Sequence, residues 1–157
     1  MKLPRRRRLE RKTDYKARLG LLKSEKHRLV ARKTNRYILA QIVFSEKAQD
    51  KVIVRLSSKN LIEKGWPENH SGSLKSLPAA YLTGLFLGKL AKEKNITSAI
   101  FDMGMYRNVH KSRLYAVLKG AIDAGLKIPH EAKALPSDED LKKNEKLKST
   151  LIKLMKI

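Results

Sequence analysis

Basic side chains, an amide and an aromatic ring are interleaved over ten residues in the first quarter of the chain. The segment RLVARKTNRY carries them as Arg28, Arg32, Lys33, Asn35, Arg36 and Tyr37. Arginine donates paired hydrogen bonds to phosphate and offers a flat stacking surface, and tyrosine can stack on an unpaired base. The segment therefore predicts contact with RNA, although Tyr37 equally fits a core position in a strand.

The segment GMYRNVHKSR repeats this mixture between Gly104 and Arg113. It predicts RNA contacts by Arg107, Lys111 and Arg113, with Tyr106 beside them. A solvated loop at the start of a helix is the alternative interpretation of the same residues.

The chain carries a large and unevenly placed excess of positive charge. Its 157 residues include 36 Lys and Arg against 15 Asp and Glu, which gives a formal net charge of +21. Fifteen of the basic residues but only three acidic ones fall within residues 1–36. A compact fold with such an excess repels itself unless a polyanion is present. The uneven placement favours a binding surface over charge that is merely solvated.

The carboxylates that phosphoryl-transfer chemistry needs are missing. Two-metal nucleases need several Asp or Glu converging on strand ends, because the metals require anionic oxygen ligands. The region from Arg28 to Phe44 contains no acid, and Asp102 stands alone at the end of a later strand, where a helix cap or loop brace is the usual role. The chain is therefore predicted not to be an enzyme.

Metal, cofactor and membrane signals are also missing. The four histidines are scattered and there is no cysteine, so no metal site is expected. Neither G-x-x-x-x-G-K-[ST] nor G-x-G-x-x-G occurs, so we expect no cofactor and no small-molecule substrate. The longest uncharged apolar run, residues 77–88, is shorter than the roughly 20 residues that cross a bilayer, and no signal peptide follows the basic N-terminus. A soluble, cytoplasmic protein without membrane partners is expected.

The hydrophobic pattern predicts an α/β layer with a mixed sheet and helices packed on it. Strands are predicted in residues 28–44 with a break near residues 33–36, and in residues 51–57 and 97–103, the last in the sheet interior. Residues 126–128 suggest a short edge strand. Helices are predicted over residues 9–23, 60–64, 77–94 and 113–124, and from residue 137 onward.

Several residues are assigned to particular structural roles. In the first helix Tyr15, Leu19 and Leu22 form a narrow stripe that should rest on the core. Ser76 should cap the long helix, Gly125 should end the next one, and carboxylates follow Ser137 at the start of the last. Close packing on the sheet is expected at Gly84 and Gly88. The last helix should bury Leu141, Leu147, Leu151, Leu154 and Met155.

Four segments resemble the archaeal and eukaryotic type of the large-subunit ribosomal protein eighteen family, which binds 5S rRNA. They are RRRRLERKTDYKARLGLLKS, RLVARKTNRYILAQIV, LPAAYLTGLFLGKLA and AVLKGAIDAGLKIPH, in the family's order and covering most of residues 5–130. The resemblance implies a ribonuclease-H-like fold used without catalysis. It also implies a role in the large ribosomal subunit, where the protein docks 5S rRNA into the central protuberance and contacts 23S-type rRNA and neighbouring ribosomal proteins.

The resemblance extends the set of expected RNA-binding residues to the N-terminal region. The residues carried over by motif are Arg5, Arg6, Arg7, Arg8, Arg11, Lys12, Tyr15, Arg18, Arg28, Arg32, Lys33, Asn35 and Arg36. The expected organisation is a basic tail over residues 1–8, disordered in isolation, an α/β domain over 9–130, and a C-terminal linker and helix over 131–157. Residues 131–157 match the family poorly. The rival is an architectural protein that coats nucleic acid without choice, but its charge would be spread over repeats, which are absent.

Overall fold

The computed structural model describes residues 3, 5–10, 12–47 and 49–155. Its strands are β1 (Arg28–Lys33), β2 (Ile38–Glu46), β3 (Gln49–Ser57) and β4 (Ile100–Asp102). They form one four-stranded sheet in the order β3-β2-β1-β4. β1, β2 and β3 are antiparallel neighbours, and β4 runs parallel to β1. The predicted α/β class and mixed sheet are confirmed.

Six α-helices and three 3₁₀ turns complete the described part of the chain. The helices are α1 (Arg6–Leu9), α2 (Tyr15–Leu22), α3 (Leu77–Glu93), α4 (Arg113–Asp123), α5 (Asp138–Lys142) and α6 (Glu145–Met155). The turns span Ser58–Leu61, Glu68–Ser73 and Ala132–Ala134. α3 packs on β2 and β3, α4 packs on β1 and along α3, and α5 and α6 pack on α3. None of these helices is long and apolar enough to cross a bilayer.

The two faces of the sheet differ because side chains alternate along each strand. Leu29, Ala31, Ile38, Ala40 and Ile42 are fully buried on the face that the long helices cover. Arg28 and Arg32 occupy the alternate positions of β1 and so project to the opposite face.

The predicted break between the first two strands is confirmed. Thr34 closes the turn, because its backbone N–H donates to the Tyr37 carbonyl and its hydroxyl accepts from the Tyr37 N–H. The Tyr37 ring is partly buried and packs against the hydrophobic core. The core interpretation of Tyr37 is therefore the one that the fold supports.

Glycines allow α3 and α4 to approach at backbone distance. A Cβ atom added at Gly84 would lie 2.0 Å from the Val117 carbonyl oxygen, and one at Gly120 would lie 2.1 Å from the Tyr81 carbonyl oxygen. A Cβ at Gly88 would meet the Ala124 side chain at 2.5 Å. The expectation that Gly84 and Gly88 pack on the sheet is therefore wrong, because both glycines face α4.

The predicted ends of the central helices are confirmed. The Ser76 hydroxyl accepts from the Ala79 N–H at the start of α3. Gly125 follows α4 with φ +99°, a left-handed conformation that glycine adopts without a Cβ clash. The Ser137 hydroxyl caps α5 through the Asp140 N–H, and the Asp140 carboxylate accepts from the Ser137 N–H in return.

The N-terminal region differs from its prediction in three respects. The helix expected over residues 9–23 begins only at Tyr15, because Asp14 accepts from the N–H groups of Lys16 and Ala17 and caps α2 there. α2 buries none of its residues, and Leu19 is 56% exposed. Residues 6–8 of the tail predicted to be unstructured belong to α1, a single helical turn with no buried residue. Disorder of residues 1–8 in the free protein stays a prediction; Met1, Lys2 and Pro4 lie outside the described residues.

Two further elements depart from expectation. β4 lies at the end of the sheet rather than in its interior, and only an isolated parallel bridge from Ser98 to Lys127 continues beyond it. The edge strand predicted at residues 126–128 is therefore reduced to a single bridge at Lys127. The last helix is interrupted at residues 143–144, and Met155 is 40% exposed while Leu147, Leu151 and Leu154 are buried as predicted.

Candidate nucleic-acid interface

A buried ionic network lies on the face of the sheet opposite the long helices. Arg28 is only 2% exposed; its Nη1 donates to Asp102 Oδ2 at 2.9 Å and its Nη2 donates to Asp50 Oδ1 at 2.7 Å. The same Nη2 also donates to the Ser45 hydroxyl at 2.9 Å. A guanidinium held in this way cannot reach a phosphate. The expectation that Arg28 contacts RNA is therefore corrected, because the side chain is internal.

Asp50 links this network to the basic helix α2. Its Oδ1 accepts from Arg18 Nη2 at 3.0 Å as well as from Arg28. Burial opposes ionisation of Asp50, but hydrogen bonds from Ser45, Arg18 and Arg28 outweigh it and lower the pKa of the carboxyl below its usual value. Arg18 therefore anchors α2 to the sheet and remains one-third exposed along its edge.

Arg32 is braced as well as partly exposed. Its guanidinium donates to Asp102 Oδ1 at 2.9 Å and to the Asp102 carbonyl at 2.7 Å. Asp102 Oδ1 also accepts from the Gly104 N–H at 2.9 Å, so this carboxylate is a loop brace. Some 35% of the Arg32 side chain stays exposed, in a cavity of about 470 Å³ that Arg7, Lys12 and Arg18 also line.

The end of β1 and the following turn present the exposed members of the RLVARKTNRY segment. Lys33, Asn35 and Arg36 are all exposed. The Asn35 carbonyl accepts from Lys75 Nζ at 2.9 Å, which brings a basic side chain to this end that the sequence did not predict. Exposed cations at a rigid strand end are suited to phosphate.

The two basic segments of the sequence meet in one groove. A cavity of about 730 Å³ lies beside the first turns of α3 and α4, and we call it the basic groove. Five cationic side chains and one carboxylate line it: Lys33, Arg107, Lys111, Arg113, Lys143 and Asp140. Apolar side chains of Leu77, Pro78, Val109 and Leu114 line it too, together with Tyr106. Lys143 was not predicted, because its segment carries no motif. It lines the groove because the end of α5 lies beside it.

The loop between β4 and α4 is held at three of its residues, Tyr106, Asn108 and Lys111. The Tyr106 hydroxyl donates to the Lys33 carbonyl at 2.6 Å, and the Tyr115 hydroxyl donates to Asn108 at 2.7 Å. The Lys111 N–H donates to the Ala134 carbonyl, and Lys111 Nζ pairs with Asp140 at 3.1 Å. These contacts order a loop whose residues 107–111 are exposed, and RNA contact by them stays a prediction.

The N-terminal arginines form an exposed basic arm. The Arg5 guanidinium lies 4.6 Å from the centre of the Tyr15 ring, and Arg7 donates to the Thr13 hydroxyl at 2.9 Å. Glu10 pairs with Arg6 and with Lys12, and Arg8 is exposed. Arg11 lies outside the described residues. Arg7 and Lys12 of the arm line the cavity beside Arg32 and not the basic groove, so the predicted residues do not all line one cavity.

Within the described ranges, no three His, Asp or Glu side chains come together as a metal site would require. Asp102 is saturated by two arginines and a backbone N–H. The surface instead carries positive charge on the exposed arm and in the basic groove.

Comparison with known proteins gives one consistent result. The family described as "Ribosomal large subunit proteins 60S L5, and 50S L18" matches residues 1–98 and 89–131. A large ribosomal subunit protein uL18 from Korarchaeum cryptofilum is 48% identical over 149 residues, 95% of this chain and 74% of the relative. Another protein of that name, from Methanococcus maripaludis, is 45% identical over 140 residues, 89% of this chain and 70% of the relative.

Proposed function

The chain belongs to the family of ribosomal large subunit proteins 60S L5 and 50S L18, and from this premise we propose that it binds 5S rRNA and anchors it in the central protuberance. It is a constituent of the cytoplasmic large ribosomal subunit and not an enzyme. The match over residues 1–98 and 89–131 carries the proposal, because it spans the basic arm and the lining of the basic groove apart from Asp140, Leu141, Lys143 and Asn144. Contacts with 23S-type rRNA and neighbouring ribosomal proteins belong to the same proposal.

The positive surface supports this function physically. Phosphates dominate the affinity of proteins for nucleic acid, and each one neutralised by Lys or Arg releases counterions. The proposed contacts are the exposed residues of the predicted set, of which Arg18 and Arg32 expose only part of their side chains. They are Arg5, Arg6, Arg7, Arg8, Lys12, Arg18, Arg32, Lys33, Asn35, Arg36, Arg107, Lys111 and Arg113. Arg11 stays in the set from its motif, and so does Tyr15, whose partly exposed ring lies beside Arg5.

The protein is expected to select 5S rRNA from total RNA and to bind it with a strong salt dependence. If about six phosphates are neutralised, the slope of log K against log salt lies near −4 to −5. Pull-down from total RNA and titration at several salt concentrations measure the two properties. Equal affinity for an unrelated duplex at near-physiological salt, or a flat salt response, would contradict the proposed function.

Arg36 and Arg32 are expected to respond differently to replacement by alanine. Arg36 is exposed, so Arg36→Ala should weaken 5S rRNA binding by about 1–3 kcal/mol and leave the melting temperature unchanged. Arg32→Ala removes two hydrogen bonds to Asp102 and should lower the melting temperature as well as the affinity. The bracing of Arg32 by Asp102 is the reason that the two variants should differ in stability. Binding isotherms with thermal denaturation separate the two effects, and a thermally weakened Arg36→Ala that binds normally would contradict the assignment.

A further inference from the structure

We propose that the basic groove holds one unpaired nucleotide of 5S rRNA, with its phosphate on the cationic rim and its base against the apolar wall. The proposal rests on the proposed function and adds to it a defined site and the chemical state of the ligand. A base-paired duplex offers its phosphates to a surface but keeps its bases stacked inside. A concave site with an apolar wall therefore suits a nucleotide that has left the stack.

The groove has an excess of positive charge and is therefore suited to an anionic ligand. Arg107 and Arg113 are exposed, and within the described part of the chain neither side chain forms a hydrogen bond or ion pair. Asp140 is the one carboxylate of the lining, and hydrogen bonds from Ser137 and Lys111 hold its pKa well below its usual range. It therefore stays ionised and orients Lys111 and Lys143, while the two arginines remain available for a phosphate.

The remaining lining suits a base. Val109 is 51% exposed on the loop, and the side chains of Leu77 and Leu114 continue the apolar wall. The volume of about 730 Å³ falls within the range of roughly 300–1,000 Å³ that ligand sites occupy. Ser112 makes no side-chain cap at the start of α4, so backbone N–H groups at this helix end add to the positive potential of the groove.

The loop that forms one side of the groove is fixed in an unusual conformation. Lys111 has φ +57°, in the left-handed region that non-glycine residues rarely adopt. Such a conformation persists only where surrounding contacts impose it, here the hydrogen bond to Ala134 and the pair with Asp140. A preformed groove spares the ordering cost of binding, which is the expected property of a specific site.

Footprinting of 5S rRNA by 2′-hydroxyl acylation tests the proposal. The wild-type protein should suppress the reactivity of one or a few unpaired nucleotides that remain reactive with the double variant Arg107→Ala, Arg113→Ala, each protein being present at saturation. The affinity of the double variant should fall by about tenfold to a hundredfold. Its melting temperature should not change, because both side chains are exposed.

The control variant Lys148→Ala, Lys153→Ala removes the same charge from exposed positions of α6 that do not line the groove. It should keep the wild-type footprint and lose much less affinity. An identical footprint for wild type and groove variant, or a loss confined to base-paired nucleotides, would overturn the groove proposal while 5S rRNA selection stands. Binding of free AMP as tight as that of the RNA would indicate a small-molecule site and would overturn it too. Failure of the wild type to select 5S rRNA would instead reject the proposed function.

Discussion

Replacement of Asp102 by alanine is expected to lower the free energy of unfolding by about 3–5 kcal/mol, the usual cost of breaking a buried ion pair from one side. Asp102 accepts from Arg28 and Arg32 at 2.9 Å each and from the Gly104 N–H at 2.9 Å. Without it, the buried Arg28 guanidinium keeps only Asp50 and Ser45, and its Nε is already without a hydrogen-bond partner within the described residues. Native domains are stable by only about 5–15 kcal/mol, so the variant should unfold at a much lower urea concentration.

Asp138→Ala is the matched control, because it also removes one carboxylate from an ion pair with a basic side chain. The Asp138 side chain is 73% exposed, and its partner Lys119, which is 15% exposed, keeps a hydrogen bond to the Pro136 carbonyl, so loss of the carboxylate should cost about 1 kcal/mol at most. Urea denaturation followed by circular dichroism measures both variants. Similar losses of unfolding free energy in the two variants would mean that the buried network stabilises the fold no more than an ion pair with an exposed carboxylate does.

The parts of the fold that the sequence predicts are those with local causes. The turn at Thr34, the Ser76 cap and the glycine after α4 each depend on residues a few positions apart. The parts that were wrong depend on partners distant in the chain. The pattern around Gly84 indicates close packing, but nothing near it indicates that the partner is Val117 on another helix. In the same way, a short apolar strand such as β4 does not reveal whether a further strand lies beside it.

The residues of the candidate site also differ in whether local sequence or distant partners determine their positions. The residue types of the two basic segments predicted a surface that binds RNA, and Arg36, Arg107 and Arg113 are exposed as such a surface requires. Type could not distinguish Arg28 from its neighbours, because its burial depends on Asp50 and Asp102, which are 22 and 74 residues away. Lys143 was missed for a related reason, because it lines the groove only where the end of α5 comes to lie beside residues far from it in the chain.

Deletion of residues 1–8 is expected to reduce 5S rRNA affinity by tenfold or more and to make its salt dependence shallower. The segment carries Lys2 and Arg5 to Arg8 with no acid. Loss of three or four phosphate contacts should move the slope of log K against log salt towards zero by roughly 2–4. The melting temperature should change little, because α1 buries no residue and the Arg5–Tyr15 contact is of an exposed kind worth about 0.5–1 kcal/mol.

A full-length variant with glutamine at Arg5, Arg6, Arg7 and Arg8 separates charge from chain length. If counterion release drives binding by the arm, this variant should reproduce most of the change in slope that the deletion causes. Affinity and slope equal to those of the wild type in both variants would reduce the arm to an aid to solubility. A large fall in melting temperature on deletion would instead show that the arm stabilises the domain. The outcome we expect, weaker and less salt-dependent binding by a domain that melts normally, would show that the arm supplies affinity while the domain folds without it.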